Sequence, residues 1–189
     1  MNTVFQDYAL FPWLSVRDNI GFGPAARGLS GGEVKATVDK FVELVGLQKF
    51  ANAYPHQLSG GMKQRVAIAR AMAMEPEILL MDEPYAALDA QTREIMQGEM
   101  MRIWQETKKT VVLITHQIDE AVFLSDRVIV FTARPGRLKE EIAVDLPRPR
   151  ELRLKRTPEF VRYTDRIWRL IEEEDASMSQ RHHANARHG

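Results

Sequence analysis

Short apolar runs alternate along this chain with longer segments in which apolar residues recur every three or four positions. The runs predict strands of a sheet that is buried on both faces, and the longer spacing predicts helices. The predicted strands are 78–81, 111–115, 127–131 and 142–144. The predicted helices are 33–47, one that starts after Ser59 and ends before Pro76, 90–108, 119–124 and 159–174. Residues 21–32, which are rich in glycine, are predicted as a loop. This alternation favours an α/β fold.

The stretch from residue 58 to residue 89 carries the most informative chemistry. Ser59 is suited to cap the start of a helix, and Gly60 and Gly61 leave the first N–H groups of that helix open to an anion. Asp82 and Glu83 follow the apolar run 78–81, at the carboxyl end of the predicted strand. Open α/β sheets place their ligands at this end. The stretch therefore predicts a site for an anionic ligand.

Motifs in this stretch, taken in order, resemble those of the ATP-binding cassette (ABC) ATPases. Residues 58–65, Leu-Ser-Gly-Gly-Met-Lys-Gln-Arg, resemble the family's signature motif. Residues 79–84, Leu-Leu-Met-Asp-Glu-Pro, resemble its Walker B strand with the catalytic glutamate, and residues 87–89, Ala-Leu-Asp, resemble its D-loop. The resemblance implies a P-loop NTPase-like α/β fold with an incomplete core sheet and a helical signature subdomain. It also implies ATP and Mg²⁺ as cofactors.

The resemblance also implies roles for individual residues. Glu83 is expected to polarise the attacking water as general base, and His116 to contact the γ-phosphate and help orient Glu83. The family usually has an aspartate after this histidine, whereas this chain has Gln117. Asp82 and Gln6 are the expected Mg²⁺ ligands. The residues expected to contact ATP held by a second subunit, or to lie at the seam between subunits, are Ser59, Gly60, Gly61, Gln64 and Asp89.

A second Leu-Ser-Gly-Gly run occurs at residues 29–32. Ser30 and Glu33 have the Ser-x-x-Glu spacing of a capping box, which predicts the start of the helix 33–47. No Gln-Arg pair and no strand ending in carboxylates follow this copy in register. We therefore expect it to start a helix and not to contact nucleotide.

One element of the family is missing from the sequence. No Gly-x-x-x-x-Gly-Lys-Ser/Thr run occurs, and no lysine follows a glycine. That run supplies the backbone N–H groups and the lysine that hold phosphates. We expect the chain to be N-terminally truncated or a fragment by nature. By the family's topology the missing strand lies between 111–115 and 127–131, so we expect exposed strand edges, marginal stability and no ATPase activity of this chain alone.

The overall composition narrows the class of protein. Lys plus Arg and Asp plus Glu both number 26, so the formal net charge is zero and no global charge indicates nucleic acid as a partner. The chain has no cysteine, which excludes disulfides and thiolate metal sites. No apolar run approaches the ~18 residues that a membrane span needs. We therefore expect a soluble, intracellular chain.

We predict a division of the chain into successive regions. Residues 1–150 form a partial ABC ATPase domain with a helical subdomain at about 18–75, residues 151–176 form a C-terminal basic amphipathic helix, and residues 177–189 form a disordered tail. We expect the basic side chains around that helix to form a solvated face rather than to bind anionic lipid or nucleic acid. They are Arg150, Arg153, Lys155, Arg156, Arg162, Arg166 and Arg169.

Two further motifs resemble the nitrate, sulfonate and taurine importer branch of the family: Ala-Arg-Pro-Gly-Arg at 133–137 and Leu-Pro-Arg-Pro-Arg at 146–150. The resemblance implies a permease transmembrane subunit, a second ATPase subunit in a homodimer and, indirectly, an extracytoplasmic solute-binding protein. It also implies a cytoplasmic chain, peripheral on the inner face of the cell membrane. Phe11 and Trp13 either cover their own domain or dock the membrane partner.

Two other classes of protein compete with an importer ATPase. Chromosome-maintenance and DNA-repair ATPases share the signature and Walker B motifs but place a long coiled coil between the Gln loop and the signature. Residues 6–59 show no sustained heptads, which disfavours that class. A non-catalytic cassette remnant that only pairs with a full-length partner stays open, because the phosphate loop is missing.

Overall fold

The computed structural model of the chain describes residues 1–4 and 7–185, with side chains described up to residue 173. The chain divides into two compact units, of which the first is Met1–His116 and the second begins at Gln117. The domain boundaries at residues 150 and 176 stay predictions. No helix in the described part of the chain is long and apolar enough to cross a lipid bilayer.

A parallel sheet lies at the centre of the first unit. Its strands are β1 (Asn2–Val4), β2 (Ile78–Asp82) and β3 (Thr110–Ile114). Within the described residues they form the order β1–β2–β3. The helices of this unit are α1 (Val16–Ala26), α2 (Gly31–Leu44), α3 (Gly60–Met72) and α4 (Ala90–Thr107), with 3-10 turns at Gln48–Phe50 and Pro55–Gln57.

Side-chain caps explain where the first helices begin. Ser15, Ser30 and Ser59 each accept a hydrogen bond from a backbone N–H in the first turn of α1, α2 and α3, respectively. The N–H of Ser30 also donates to Oε2 of Glu33 at 2.8 Å, which completes a capping box. The prediction that the second Leu-Ser-Gly-Gly run starts a helix is therefore confirmed.

Helix α1 extends to Ala26, so the prediction of a loop from residue 21 was wrong at its start. The glycines in this helix serve close packing. A Cβ at Gly21 would lie 3.1 Å from Cγ2 of Val38, and a Cβ at Gly23 would lie 2.2 Å from Sδ of Met74. Their missing side chains let α1 approach its neighbours, and this long-range reason for glycine does not appear in the local sequence pattern.

The described residues cover one face of the parallel sheet. Leu79 and Met81 are each 1% exposed on that face, whereas Val112 and Ile114 on the opposite face are 47% and 49% exposed. The prediction that these strands are buried on both faces was therefore wrong for the described part of the chain, because no described element of the first unit covers the second face. Within those residues β3 pairs only with β2, so its other edge is open as expected.

The second unit contains an antiparallel strand pair and two α-helices in its described part. The elements are α5 (Ile118–Leu124), β4 (Arg127–Phe131), β5 (Leu138–Ala143), a 3-10 turn at Leu152–Arg156 and α6 (Pro158–Asn185). Helix α6 continues past residue 176, where the sequence predicted a disordered tail. No glycine or proline interrupts residues 159–185, so the helix meets no breaker there. The rest of the predicted tail, 186–189, lies outside the described residues.

Arg150 departs most from the sequence prediction in this unit. It was expected on a solvated basic face, yet it is only 4% exposed. Its guanidinium donates to the backbone oxygens of Val122, Phe123 and Ser125 at 3.1, 3.2 and 2.7 Å, and to that of Val144 at 3.0 Å. The first three oxygens lie at the end of α5, where carbonyls lack partners within the helix. Arg150 therefore caps α5 from inside the unit.

Candidate active site

The carboxyl ends of β2 and β3 bring Glu83 and His116 together. The strands run parallel with Asp82 opposite Ile114, so the residues that follow them emerge at the same edge of the sheet. Nδ1 of His116 lies 3.1 Å from Oε1 of Glu83. The two residues assigned to catalysis from the sequence are thus in direct contact, and their catalytic roles stay predictions.

The backbone of Glu83 adopts an unusual conformation. Its φ is +43°, in the left-handed region that costs a non-glycine residue about 1–2 kcal/mol. Such strain persists where the surroundings fix it, and it is common at functional sites. The N–H of Glu83 donates to the oxygen of Ile114 at 2.9 Å. A hydrogen bond to the neighbouring strand therefore holds the carboxylate at the end of β2.

The acidic edge of the sheet is open to solvent. The side chain of His116 is 66% exposed and that of Glu83 is 33% exposed, and Asp82 is also exposed. Among the described residues no group of three or more His, Cys, Asp or Glu is placed to hold a metal ion. Mg²⁺ commonly binds through one or two carboxylates, waters and substrate phosphates, so Asp82 alone fits Mg²⁺ delivered with a nucleotide better than a cage made of protein ligands.

The start of α3 presents Ser59 to solvent, with Gly60 partly covered beside it and Gly61 buried. Both glycines lie close to neighbouring side chains. A Cβ at Gly60 would lie 3.0 Å from Cδ2 of Leu88, and a Cβ at Gly61 would lie 3.2 Å from Cγ2 of Thr92. The N-terminal end of α3 also has free N–H groups and the positive end of the helix dipole, which suit an anion.

Asp89 lies at the start of α4 and caps it. The backbone N–H of Thr92 donates to Oδ1 of Asp89 at 3.0 Å. Hydrogen bonding from Thr92 lowers the pKa of Asp89. The residue is exposed, and its position at a subunit seam stays a prediction.

Two glutamines were assigned from the sequence, Gln64 to nucleotide contact and Gln6 to Mg²⁺ binding. Gln64 is 0% exposed, and neither its Oε1 nor its Nε2 has a hydrogen-bond partner in the described structure. A contact between Gln64 and a nucleotide would require this side chain to leave its buried position. Gln6 lies outside the described residues, and its role as a Mg²⁺ ligand stays a prediction.

Sequence reasoning missed Asn19, which holds the loop before α1. Asn19 is 0% exposed, its Oδ1 accepts from the N–H of Phe11 at 2.9 Å, and its Nδ2 donates to the oxygens of Phe11 and Leu14 at 3.1 and 3.0 Å. The available signal was a polar residue between the apolar Val16 and Ile20 of a helix. Sequence reasoning also missed Arg70 in the last turn of α3.

Comparisons with known proteins agree with this arrangement. A family model described as "ABC transporter" matches residues 1–86. The chain is 54% identical over 171 residues to an uncharacterized ABC transporter ATP-binding protein of Methanocaldococcus jannaschii, covering 90% of this chain and 63% of the relative. It is 47% identical over 174 residues to the nitrate import ATP-binding protein NrtD of Synechocystis sp., covering 89% of this chain and 65% of that protein.

A third relative is the taurine import ATP-binding protein TauB of Jannaschia sp., which is 43% identical over 187 residues, or 97% of this chain and 70% of TauB. The chain thus spans 63% to 70% of the length of these relatives. It also resembles the solved structure of an ATP-binding cassette in a dimeric post-hydrolysis state bound to ADP and Pi, with a TM-score of 0.62 and 35% identity over 76% of this chain and 62% of that one. The fold is that of the ABC ATPase cassettes, and the chain belongs to the ABC transporter family.

Proposed function

We propose that this chain is the ATP-hydrolysing subunit of an ABC importer of the nitrate, sulfonate or taurine type. The observation that carries the proposal is the contact between His116 and Glu83 at the ends of adjacent parallel strands, at 3.1 Å. The names of two relatives, a nitrate import and a taurine import ATP-binding protein, support the importer class. The permease and the solute-binding protein would select the transported solute. This chain would bind the permease directly and act with the solute-binding protein only indirectly.

In this mechanism Glu83 is the general base. Its carboxylate accepts a proton from the attacking water, a role that typically contributes ~10²–10⁴-fold to the rate. His116 donates from Nδ1 to Oε1 of Glu83 and so fixes the carboxylate while Oε2 remains free for the water. The exposed ring of His116 can also turn Nε2 toward a γ-phosphate.

The residues at this edge fit a magnesium–nucleotide complex. Bound Mg²⁺ would neutralise charge on the phosphates of ATP. Asp82 offers it one exposed carboxylate at the end of β2, directly or through water, and Gln6 would share it. The glycine-fronted start of α3, with Ser59 and Gly60 at the surface, would face ATP held by a second copy of the subunit, and Asp89 would lie at the seam.

An aromatic surface offers a docking site for the permease, and we assign the chain a peripheral position on the inner face of the membrane. Trp13 is 71% exposed, and its ring lies 5.7 Å from that of Phe11, which lies 4.6 Å from that of Phe22. Asn19 fixes the backbone of this loop, so the rings are presented on a rigid support. Exposed aromatic clusters of this kind commonly mark protein interaction sites.

A second candidate function is a non-catalytic cassette that pairs with a full-length partner. It is supported by one observation, the exposed Ser59 at the start of α3, which would face a nucleotide bound by that partner. Such a chain would contribute the start of α3 to ATP bound by its partner. It would not need Glu83 as a base.

The two candidates differ in the effect of Glu83→Gln. We propose to measure phosphate release from MgATP by residues 1–189 alone and by residues 1–189 joined to an upstream phosphate-loop segment. We expect no turnover by residues 1–189 alone, turnover by the joined protein, and near abolition of that turnover by Glu83→Gln with nucleotide binding retained. The control is Glu75→Gln, because Glu75 is also a left-handed glutamate but lies outside the site.

The result that would contradict catalysis by this chain is turnover that survives Glu83→Gln at a level close to that of Glu75→Gln. The non-catalytic candidate predicts that this chain raises the turnover of a full-length cassette when the two are mixed. It also predicts that the Glu83→Gln and Glu75→Gln variants of this chain raise that turnover equally. An equal loss of turnover in Glu83→Gln and Glu75→Gln would instead indicate a folding defect, which far-UV circular dichroism of the two variants would detect.

A further inference from the structure

We infer that Arg70 is a positioning residue that ties the loop following residue 6 to helix α3. Through this tie, Tyr8, Ala9 and Phe11 keep a fixed position relative to Gly60 at the start of the same helix. The inference extends the proposed function, because it connects the surface proposed to dock the permease with the helix proposed to face ATP.

The guanidinium of Arg70 makes three contacts with this loop. Nη1 donates to the oxygen of Ala9 at 2.6 Å, and Nη2 donates to the oxygen of Tyr8 at 3.2 Å. The guanidinium carbon lies 5.5 Å from the centre of the Phe11 ring, within the range of a cation–π contact. Two donors of one rigid, planar group thus bind successive carbonyls, which a single ammonium group cannot reproduce in the same geometry.

The two carbonyls belong to residues in a conformation that the chain does not favour by itself. Tyr8 has a φ of +57° and Ala9 a φ of +46°, so two successive non-glycine residues are left-handed. Such residues usually occur singly, because Cβ crowds the backbone. The local hydrogen bond from the N–H of Ala9 to the oxygen of Asp7 is 2.6 Å long and closes a tight turn. Arg70 supplies the long-range contacts that favour this turn.

Tyr8 also contacts the other end of α3. A Cβ at Gly60 would lie 3.5 Å from the hydroxyl oxygen of Tyr8, so the phenol lies beside the first residue of the helix. Burial raises the pKa of this phenol. The carbonyl of Tyr8 is held by Arg70 in the later part of the helix, while its hydroxyl lies beside the first turn. Tyr8 therefore lies along α3, and a movement of either element is transmitted to the other.

Hydrogen–deuterium exchange of the 1–189 chain tests this role without nucleotide or permease. The variant Arg70→Met removes the donors but keeps an unbranched side chain, and Arg70→Lys keeps the charge. Arg65→Met is the matched control, because Arg65 is on the same helix and donates to the oxygen of Val45 at 3.4 Å instead. The readout is the exchange rate of amides in residues 7–14, compared with those of α4.

We expect Arg70→Met to speed exchange in residues 7–14 by about tenfold or more, since hydrogen bonds to a charged donor are lost there. Arg70→Lys should give an intermediate rate, and Arg65→Met should leave these amides unchanged. Amides of α4 should keep their wild-type rates in all three variants. Graded rescue by lysine, confined to one loop, distinguishes positioning from a general loss of stability.

Two results would overturn the inference. One is exchange in residues 7–14 within about twofold of wild type in folded Arg70→Met, which would mean that the local turn holds itself. The other is an equal rise of exchange throughout Met1–His116 in both Arg70 variants, which would make Arg70 a general stabilising residue. If Arg70→Met does not fold, Arg70→Lys decides alone by the same two criteria. Neither result depends on whether the chain hydrolyses ATP.

Discussion

Replacement of Arg150 by methionine tests how the second unit is held together. The side chain is 1% exposed, and its donors reach the backbone oxygens of Val122, Phe123, Ser125, Val144 and Leu146. Burial lowers the pKa of the guanidinium, which nevertheless stays charged at neutral pH. Methionine has a similar unbranched stem and no donor, so Arg150→Met removes the hydrogen bonds and retains much of the packing.

The magnitude follows from the carbonyls that lose their partner. Leaving a buried polar group unsatisfied costs about 1–3 kcal/mol, and Arg150 serves five carbonyls. The costs do not add fully, because carbonyls at the end of α5 can bind water once the guanidinium is gone. We therefore expect a loss of about 3–5 kcal/mol in the free energy of unfolding. For a chain of this length that corresponds to a fall of roughly 6–20 °C in Tm.

Urea and thermal unfolding, followed by far-UV circular dichroism, measure this loss. Arg153→Met is the matched control, because the side chain of Arg153 is 82% exposed and, among the described residues, pairs with Glu151 at the surface. We expect that control to stay within about 0.5 kcal/mol of wild type. Arg150→Lys should fall between the two, since one ammonium replaces a fork of donors. A loss for Arg150→Met no larger than that of the control would refute the assignment of Arg150 as the internal cap of α5.

Three further changes probe the first unit. Gly98→Ala should raise the free energy of unfolding by about 0.5–1 kcal/mol, because no atom lies within 4 Å of its new Cβ in α4. Gly23→Ala should lower the free energy of unfolding by about 1–3 kcal/mol despite the same gain in helix propensity, because its Cβ would lie 2.2 Å from Sδ of Met74. Urea melts measure both variants, and a change of the same sign in the two would contradict this reasoning. Asp89→Asn should make the free energy of unfolding depend less on pH in the acid range. Thr92 lowers the pKa of Asp89 in the folded chain, so the Asp89 carboxylate stabilises the fold above its unfolded pKa, and this stabilisation is lost as pH falls through the folded pKa. Unfolding melts across that pH range check this, and an unchanged acid slope would contradict it.

Local chemistry explains why part of the fold could be predicted. Ser30 and Ser59 cap helices where the sequence predicted a cap, whereas the start of α1 at Ser15 was not predicted. The apolar run 78–81 coincides with β2 apart from its last residue. Asp82 and Glu83 follow that strand, and His116 follows β3 closely, so parallel pairing was enough to bring Glu83 and His116 to one edge. Each of these features depends on a few neighbouring residues and on the rule that parallel strands end together.

Other features depend on contacts that sequence patterns do not encode. Gly21 and Gly23 suggested a loop, but they lie in α1, where a Cβ would crowd Val38 and Met74. Arg150 belonged to a basic run, and only the fold reveals the carbonyls that bury it. Gln64 belongs to the signature motif in the sequence, yet the helix turns it into the interior.

The amino-acid sequence by itself determined the family, the order of the motifs and the residues at the edge of the parallel sheet, because short-range spacing and strand direction are written in neighbouring positions. The tertiary structure alone decided which arginines are structural, which glycines serve packing and how Tyr8 and Ala9 come to be left-handed. Those outcomes depend on atoms that are distant in sequence and meet only when helices and strands pack, so charge and residue type along the chain do not specify them.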